Sequence, residues 1–182
     1  MDIITHQDIM MLDIQPMQAY NWVKEQIFNK NEAILKPKIS LKFGDLGFYN
    51  TMPAILPNEG IAGAKVVNRY SKRTPALDSQ ILLYNLNSGQ LLALMDANFI
   101  TAVRAGAVAA YSIQLLAKKT FTEIGFIGSG NTARATFKIL MSLFPDRNFI
   151  IKIKKYKDQH NEFLRDFKSY ARQIQFVICD TY

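Results

Sequence analysis

Two glycines stand where an apolar strand gives way to an amphipathic helix in the second half of the chain. Gly128 and Gly130 belong to residues 128–133, Gly-Ser-Gly-Asn-Thr-Ala, which fit the pattern G-x-G-x-x-A. In that pattern the first glycine permits a tight turn, the second lets a pyrophosphate reach the backbone, and the alanine allows close packing of helix on strand. The alternative is a glycine-rich turn without a ligand. We predict dinucleotide binding by Gly128, Ser129, Gly130, Asn131, Thr132 and Ala133, with the phosphates at the helix N-terminus.

The end of the next predicted strand bears on which dinucleotide would bind. An acidic residue there would bind the ribose 2′-hydroxyl of NAD, whereas residues 153–157 read Ile-Lys-Lys-Tyr-Lys. Lys154 and Lys155 suit a 2′-phosphate instead. The predicted cofactor is therefore NAD or NADP, with NADPH favoured, and lysines that serve only solubility are the alternative.

Two basic residues lie in apolar surroundings. Lys65, in the strand AGAKVVN, shares a face with Gly63 and Val67, and Arg104 lies within a long apolar helix. A guanidinium so placed needs an anion or carbonyl groups, and its fork suits a carboxylate. The alternatives are an edge-strand lysine that prevents aggregation, and a salt bridge from Arg104 to an acid of this chain.

The elements that position these residues change in kind near residue 119. The first part is predicted to hold an amphipathic helix, several short strands with a hairpin turn at residues 85–89, and a nearly apolar helix. After it, strands and helices alternate as in the βαβαβ half of a doubly wound parallel sheet. The fold class is α/β: an α+β domain over residues 1–119, then an incomplete Rossmann domain with three parallel strands over residues 120–182. The predicted helices cover 17–30, 98–119, 131–144 and 158–172, and the strands 39–43, 47–54, 62–68, 80–85, 122–127, 148–154 and 173–179.

Composition narrows the function classes. The single cysteine, Cys179, cannot form an internal disulfide, and with His6 and His160 it does not make a metal site. No uninterrupted apolar run reaches the roughly 20 residues of a membrane span, and the N-terminus lacks signal-peptide features, so we expect a cytoplasmic protein. Residues 147–172 hold eight basic and three acidic residues, which is +5 of the net charge of +7. A solvated face is favoured there over contact with nucleic acid.

Between residues 52 and 133 the sequence is similar to the ornithine cyclodeaminase/mu-crystallin family. The similarity lies in MPA (52–54), AGAKVVN (62–68), LLYNLNSGQLLALMDANFITAVRAGAVAA (82–110) and the glycine motif, in the family's order and spacing. The resemblance implies a homodimer acting on amino acids or cyclic imines with a nicotinamide cofactor. Ornithine cyclodeaminase, a lyase that converts L-ornithine to L-proline and ammonia, is the first expectation. Ketimine reductase and alanine dehydrogenase are the alternatives.

The resemblance also assigns the substrate-binding residues. Lys65 falls on the family lysine that contacts substrate, and Arg104 on the arginine that binds its carboxylate. Where the family has an arginine in its first strand, this chain offers Lys36 or Lys38, and we assign Lys38. A lysine there replaces a bidentate fork by a point charge and would weaken carboxylate binding.

Other family residues have no secure counterpart. The hydroxyl or histidine that precedes the strand at 80–85 could be Thr74 or Ser79. The family's catalytic aspartate belongs to the second half of the Rossmann domain, and Asp180 does not replace it. No catalytic residue is therefore assigned. We expect a truncated member that is impaired in catalysis, or a non-catalytic module that only dimerises or binds a ligand.

Overall fold

The computed structural model describes residues 1–181 and divides into two compact units. The first unit comprises residues 1–14 and 25–101, and the second comprises residues 15–24 and the chain from Ala102 onward. The domain boundary predicted at residue 119 stays a prediction. The long helix that precedes it begins in the first unit and continues in the second.

The first unit is built on one seven-stranded mixed sheet. Besides helix α1 (His6–Met11) it contains β1 (Asp2–Ile4), β2 (Ile34–Leu35), β3 (Ile39–Phe43), β4 (Gly47–Leu56), β5 (Ile61–Tyr70), β6 (Leu77–Asn85) and β7 (Leu91–Asp96). The order across the sheet is β1-β7-β6-β5-β4-β2, with β3 also paired to β4. Strand β1 runs parallel to β7, and the other pairs are antiparallel.

The predicted hairpin between β6 and β7 is confirmed. Gly89 has a φ of +70°, the left-handed conformation that glycine adopts without strain. The side-chain oxygen of Asn85 accepts hydrogen bonds from the backbone N–H groups of Asn87 at 3.0 Å and Ser88 at 2.9 Å. These bonds satisfy the loop's backbone donors, and they set the register of β6 on β7.

Strand β5 is an internal strand of the sheet. It pairs with β4 on one side and β6 on the other, and Lys65 lies opposite Met52 and Ile81. An edge-strand role for Lys65 is therefore wrong, because both of its neighbouring positions are occupied. A lysine in the interior of a sheet needs polar partners above the sheet face.

Two elements at the N-terminus escaped the sequence prediction. Strand β1 has only three residues and is set by its pairing with β7. The start of helix α1 could be predicted from the sequence, because Thr5 and Asp8 form a capping box. The Thr5 hydroxyl accepts from the Asp8 N–H at 3.3 Å, and the Thr5 N–H donates to the Asp8 carboxylate at 2.8 Å. This bonding lowers the pKa of Asp8, and the T-x-x-D spacing predicts such a box.

The second unit contains the predicted half of a doubly wound sheet. Its elements are α2 (Pro16–Phe28), α3 (Asn98–Leu116), β8 (Glu123–Phe126), α4 (Asn131–Leu143), β9 (Phe149–Lys154), α5 (Gln159–Asp166) and β10 (Ile174–Cys179). The three strands are parallel and lie in the order β10-β9-β8, which is the 3-2-1 order of that fold. Helix α2 contributes its residues up to Lys24 and helix α3 its residues from Ala102.

The core of the second unit is aromatic and aliphatic. Phe137 of α4 and Phe163 of α5 are fully buried and meet edge to face, with ring centroids 5.5 Å apart. Ile151 and Ile153 of β9 are also fully buried. Each such side chain contributes about 1.5–3 kcal/mol of transfer free energy, which holds α4 and α5 on the sheet.

Helix α3 packs on helix α4 through a glycine. A Cβ atom on Gly106 would lie 2.7 Å from both the Ala135 Cβ and the Thr136 backbone nitrogen. Within residues 1–181, α3 is also the one helix long and apolar enough to cross a membrane by length and composition, since Arg104 is the single charged residue among its 19. The core helices of other proteins meet the same criterion. Along α3 the chain itself buries Gly106, Ala107 and Ala110.

Candidate functional site

The glycine turn lies between β8 and α4. Gly128 has a φ of +93°, so this position requires glycine, as the motif predicts. Gly130 is the N-cap of α4 and has no side chain to cap it. The first N–H groups of α4, which as in any helix have no intrahelical acceptor, are therefore not capped by that residue's side chain, and they carry the positive end of the helix dipole. This is the arrangement that binds phosphate groups.

Nothing in the chain itself requires a glycine at position 130. Its φ of −75° is open to any residue, and a Cβ built on it would meet no atom of the chain within 4 Å. Neither conformation nor internal packing therefore excludes a side chain. Space kept free above a helix N-terminus fits the close approach of a pyrophosphate to the backbone.

Arg134 supports the turn from the first turn of α4. Its NH1 donates to the Ser129 carbonyl at 2.9 Å, and its Nε donates to the Asp166 carboxylate at 2.7 Å. The Glu162 carboxylate lies 3.6 Å from its NH2. Ser129 itself is buried. Arg134 is not among the predicted site residues, although its position just after the motif and the i, i+4 spacing of the acids Glu162 and Asp166 on α5 indicate such a contact.

The two lysines predicted to favour NADP over NAD lie at the carboxyl end of β9. Lys154 donates to the Asp180 carbonyl oxygen, and the Lys155 amine lies 3.6 Å from the Asp180 carboxylate. The carboxyl ends of parallel strands meet at one edge of a sheet. The structure therefore brings Lys154 and Lys155 to the same edge as the glycine turn. Because Lys155 and Asp180 are both exposed, this ion pair is weak.

Some of the basic residues between 147 and 172 have partners in the chain. The Arg147 guanidinium lies 4.7 Å from the Phe144 ring centroid and donates to the Phe121 carbonyl at 3.3 Å. Lys152 pairs with Glu123 at 2.6 Å, which raises the pKa of the lysine. These residues help to hold the second unit together.

In the first unit Lys65 reaches helix α3. Its Nζ lies 3.4 Å from the Thr101 hydroxyl, in half-buried surroundings. The Thr101 hydroxyl lies 3.3 Å from that of Ser79, which is 2% exposed. Of the two hydroxyl candidates left open by the sequence, Ser79 is the one in this network, whereas Thr74 is exposed in the loop before β6.

The network continues to two carboxylates. The Asn98 side-chain nitrogen donates to Asp78 at 2.9 Å and to Asp96 at 3.1 Å. The hydrogen bond from Asn98 lowers the pKa of Asp78 below its ordinary value of 3.8, with further bonds from Gln80 and the Ser79 N–H. The Arg73 guanidinium, 3.9 Å away, acts in the same direction. Asp78 is therefore held ionised.

The other two predicted substrate residues are exposed. Lys38 lies in the first unit, directly before β3. Arg104 lies in the part of α3 that belongs to the second unit. Among residues 1–181 its guanidinium has no hydrogen bond or ion pair, so the alternative of a salt bridge within this chain has no support there.

Three parallel strands in 3-2-1 order, with an open glycine turn at their carboxyl edge, define a Rossmann-type nucleotide-binding half. The first unit adds a mixed sheet that carries a lysine in a polar network. The chain belongs to the ornithine cyclodeaminase/mu-crystallin family, whose model matches residues 2–181.

Individual relatives agree with the family match. An alanine dehydrogenase of Archaeoglobus fulgidus is 32% identical over 175 residues, covering 93% of this chain and 52% of its own length. A solved archaeal alanine dehydrogenase dimer with bound NAD is 28% identical with a TM-score of 0.83, covering 97% of this chain and 55% of that one. The Thermococcus litoralis Δ1-pyrroline-2-carboxylate reductase, solved with NADH and L-proline, shares the fold at a TM-score of 0.85 and 23% identity, covering 99% of this chain and 58% of that one. The chain thus spans about half the length of the relatives it matches.

Proposed function

We propose that this chain supplies the substrate unit and the phosphate-binding half of an NAD(P)-dependent enzyme that acts on amino acids or their imines. The observation that carries the proposal is the open space above Gly130 at the N-terminus of α4. A nicotinamide dinucleotide, when bound, supplies hydride acceptance or donation at the substrate α-carbon. This chain's part is to bind and orient, and no proton transfer is assigned to any of its residues.

The dinucleotide would be held by the backbone of residues 128–133, with Arg134 keeping the turn in place. Lys154 and Lys155 would offer a 2′-phosphate two positive charges, which favours NADP over NAD. Their contacts with Asp180 offset part of that advantage. We therefore expect NADPH to bind only a few-fold more tightly than NADH.

The substrate would be recognised by its carboxylate. Arg104 presents an exposed guanidinium without an ion-pair partner in residues 1–181, and a guanidinium binds a carboxylate through two parallel hydrogen bonds. The family resemblance also assigns substrate contact to two lysines of the first unit, Lys65 and, as a weaker point charge, Lys38. These roles rest on the family resemblance and on the chemistry of each side chain.

Two reactions are the candidates within this class. Amino-acid dehydrogenation is supported by the Archaeoglobus fulgidus alanine dehydrogenase, because the similarity to it covers 93% of this chain. Ornithine cyclodeamination, the first expectation from the sequence, is supported by the family match. Ketimine reduction is a related alternative, since it forms the same kind of carbon–nitrogen centre by hydride addition.

Calorimetric titration with matched ligands tests the substrate class. L-Alanine and L-ornithine should bind, whereas L-alaninamide, which lacks the carboxylate, should bind at least tenfold more weakly. Arg104→Gln should weaken the amino acids by a similar factor, and Arg104→Lys should be intermediate because a point charge replaces the fork. Tighter binding of L-alanine would favour amino-acid dehydrogenation, and tighter binding of L-ornithine would favour ornithine cyclodeamination.

The control is Arg172→Gln, which removes another exposed arginine of the second unit. It should leave both affinities unchanged. Equal binding of alanine and alaninamide, or normal binding by Arg104→Gln, would rule out carboxylate recognition by Arg104.

A further inference from the structure

Lys65 and Ser79 lie on one face of the sheet. In β5 and β6 the opposed pairs are Lys65 with Ile81 and Val67 with Ser79. Directly opposed residues share a face, and residues two apart on a strand do as well. Ser79 is thus the next position along the face from Lys65, and Thr101 connects the two, with its hydroxyl 3.4 Å from Lys65 Nζ and 3.3 Å from Ser79 Oγ.

The direction of the hydrogen bonds is fixed at Asn98. Its side-chain nitrogen lies 2.9 Å from an oxygen of Asp78 and 3.1 Å from one of Asp96. The Asp78 carboxylate accepts from this amide, so the amide nitrogen must face it, and the amide oxygen must point away. That oxygen lies 3.1 Å from the Ser79 hydroxyl. Since the amide oxygen can only accept, Ser79 must donate to it.

The Thr101 hydroxyl also has a defined orientation. Ser79 has one hydroxyl hydrogen, which Asn98 takes, so Ser79 can only accept from Thr101. The Thr101 hydrogen is then committed to Ser79, and Thr101 offers Lys65 only a lone pair. Every bond in the series therefore points from the lysine amine towards the two carboxylates. Chains of this kind polarise each member in the same direction.

We propose that Thr101 and Ser79 are positioning residues for Lys65, and that Asn98 with Asp78 and Asp96 fixes the direction in which they act. The inference deepens the proposed function and rests on the substrate role given there to Lys65. A lysine amine ends a flexible four-carbon chain. A small amino acid can be oriented by such an amine only if the protein itself holds it in place.

The rate of Lys65 acylation tests this without any ligand. The 182-residue protein is treated with acetic anhydride, and peptide mass spectrometry gives the Lys65 rate relative to the exposed Lys72. Thr101→Val removes this one acceptor of Lys65 and keeps the side-chain shape, so the relative rate should rise about fivefold or more. Thr101→Ser restores the hydroxyl and should restore the wild-type rate. Ser79→Ala, one bond further away, should give an intermediate increase.

Ser112→Ala is the matched control, because it removes another hydroxyl of α3, one that donates to the Val108 backbone carbonyl at 2.9 Å. Circular dichroism identifies any variant that fails to fold, and Thr101→Ser then serves as the folded comparison with Ser79→Ala. A Lys65 rate in Thr101→Val equal to that in Ser112→Ala would overturn the proposal. So would a Thr101→Ser variant that behaves like Thr101→Val. If the acylation results hold but no amino acid binds, the positioning stands and the proposed function fails.

Discussion

The Ser79 hydroxyl connects the strands of the first unit to the helix that begins at Asn98. Around it, each polar group has a defined partner, from Lys65 at one end to Asp78 at the other. Buried polar networks are costly when one member is missing, because the group left behind loses its bond without regaining water. The identity of each residue in the network therefore affects both folding and the place of the lysine amine.

The acid stability of the first unit should depend on Asp78. Its pKa is lowered in the folded protein, first by the Asn98 bond, so its contribution is present above the ordinary pKa of 3.8. It is lost as the pH falls through the lower, folded value. Asp78→Asn should lower the unfolding free energy at pH 7 by about 1 kcal/mol, a value reduced for partial exposure. The difference from wild type should shrink below about pH 3.8.

Urea unfolding at pH 7 and pH 3, followed by circular dichroism, measures this difference. Asp45→Asn removes another carboxylate of the first unit and should show no effect at either pH. A difference for Asp78→Asn that stays constant between pH 7 and pH 3 would contradict the assignment.

Helices α3 and α4 approach each other closely at Gly106, where even one methyl group would collide with the Thr136 backbone. Backbone atoms cannot move aside as a flexible side chain can. We expect Gly106→Ala to destabilise the second unit by about 1–3 kcal/mol, as overpacking does. Gly125→Ala, which adds a methyl group into open space on β8, should have little effect. Equal melting temperatures for the two variants would show that the helices separate without cost.

Elements with a long regular pattern could be predicted from the sequence, and contacts that depend on strand register could not. Alternation and glycine placement located β3, β8, α4 and the turn at Gly128, because each follows from local chemistry. The two-residue strand β2 and the three-residue β1 exist only through pairing with distant strands. Ser79 was left as one of two candidates, since only the register of β6 on β5 brings it beside Lys65.

At the scale of the molecule, the first unit exposes large apolar side chains along β3. Ile39 is 57% exposed and Leu41 is 67% exposed, and they share a strand face. We expect this face to be covered in a homodimer. Sedimentation should give about twice the chain mass of 20.7 kDa, and Leu41→Asp should give the single mass. Lys42→Glu, on the opposite face of the same strand, should remain dimeric, and a monomeric wild-type protein would refute the dimer.

Titration with NADH measures the proposed binding of a nicotinamide dinucleotide at the glycine turn. A methyl group at Gly130 fits the chain itself but occupies the space proposed for the pyrophosphate, and a methyl group at Gly125 lies in open space on the strand. We expect wild type and Gly125→Ala to bind NADH equally, and Gly130→Ala to bind it at least tenfold more weakly. Absence of NADH binding to the wild-type protein, or equal affinity in Gly130→Ala, would contradict this proposal.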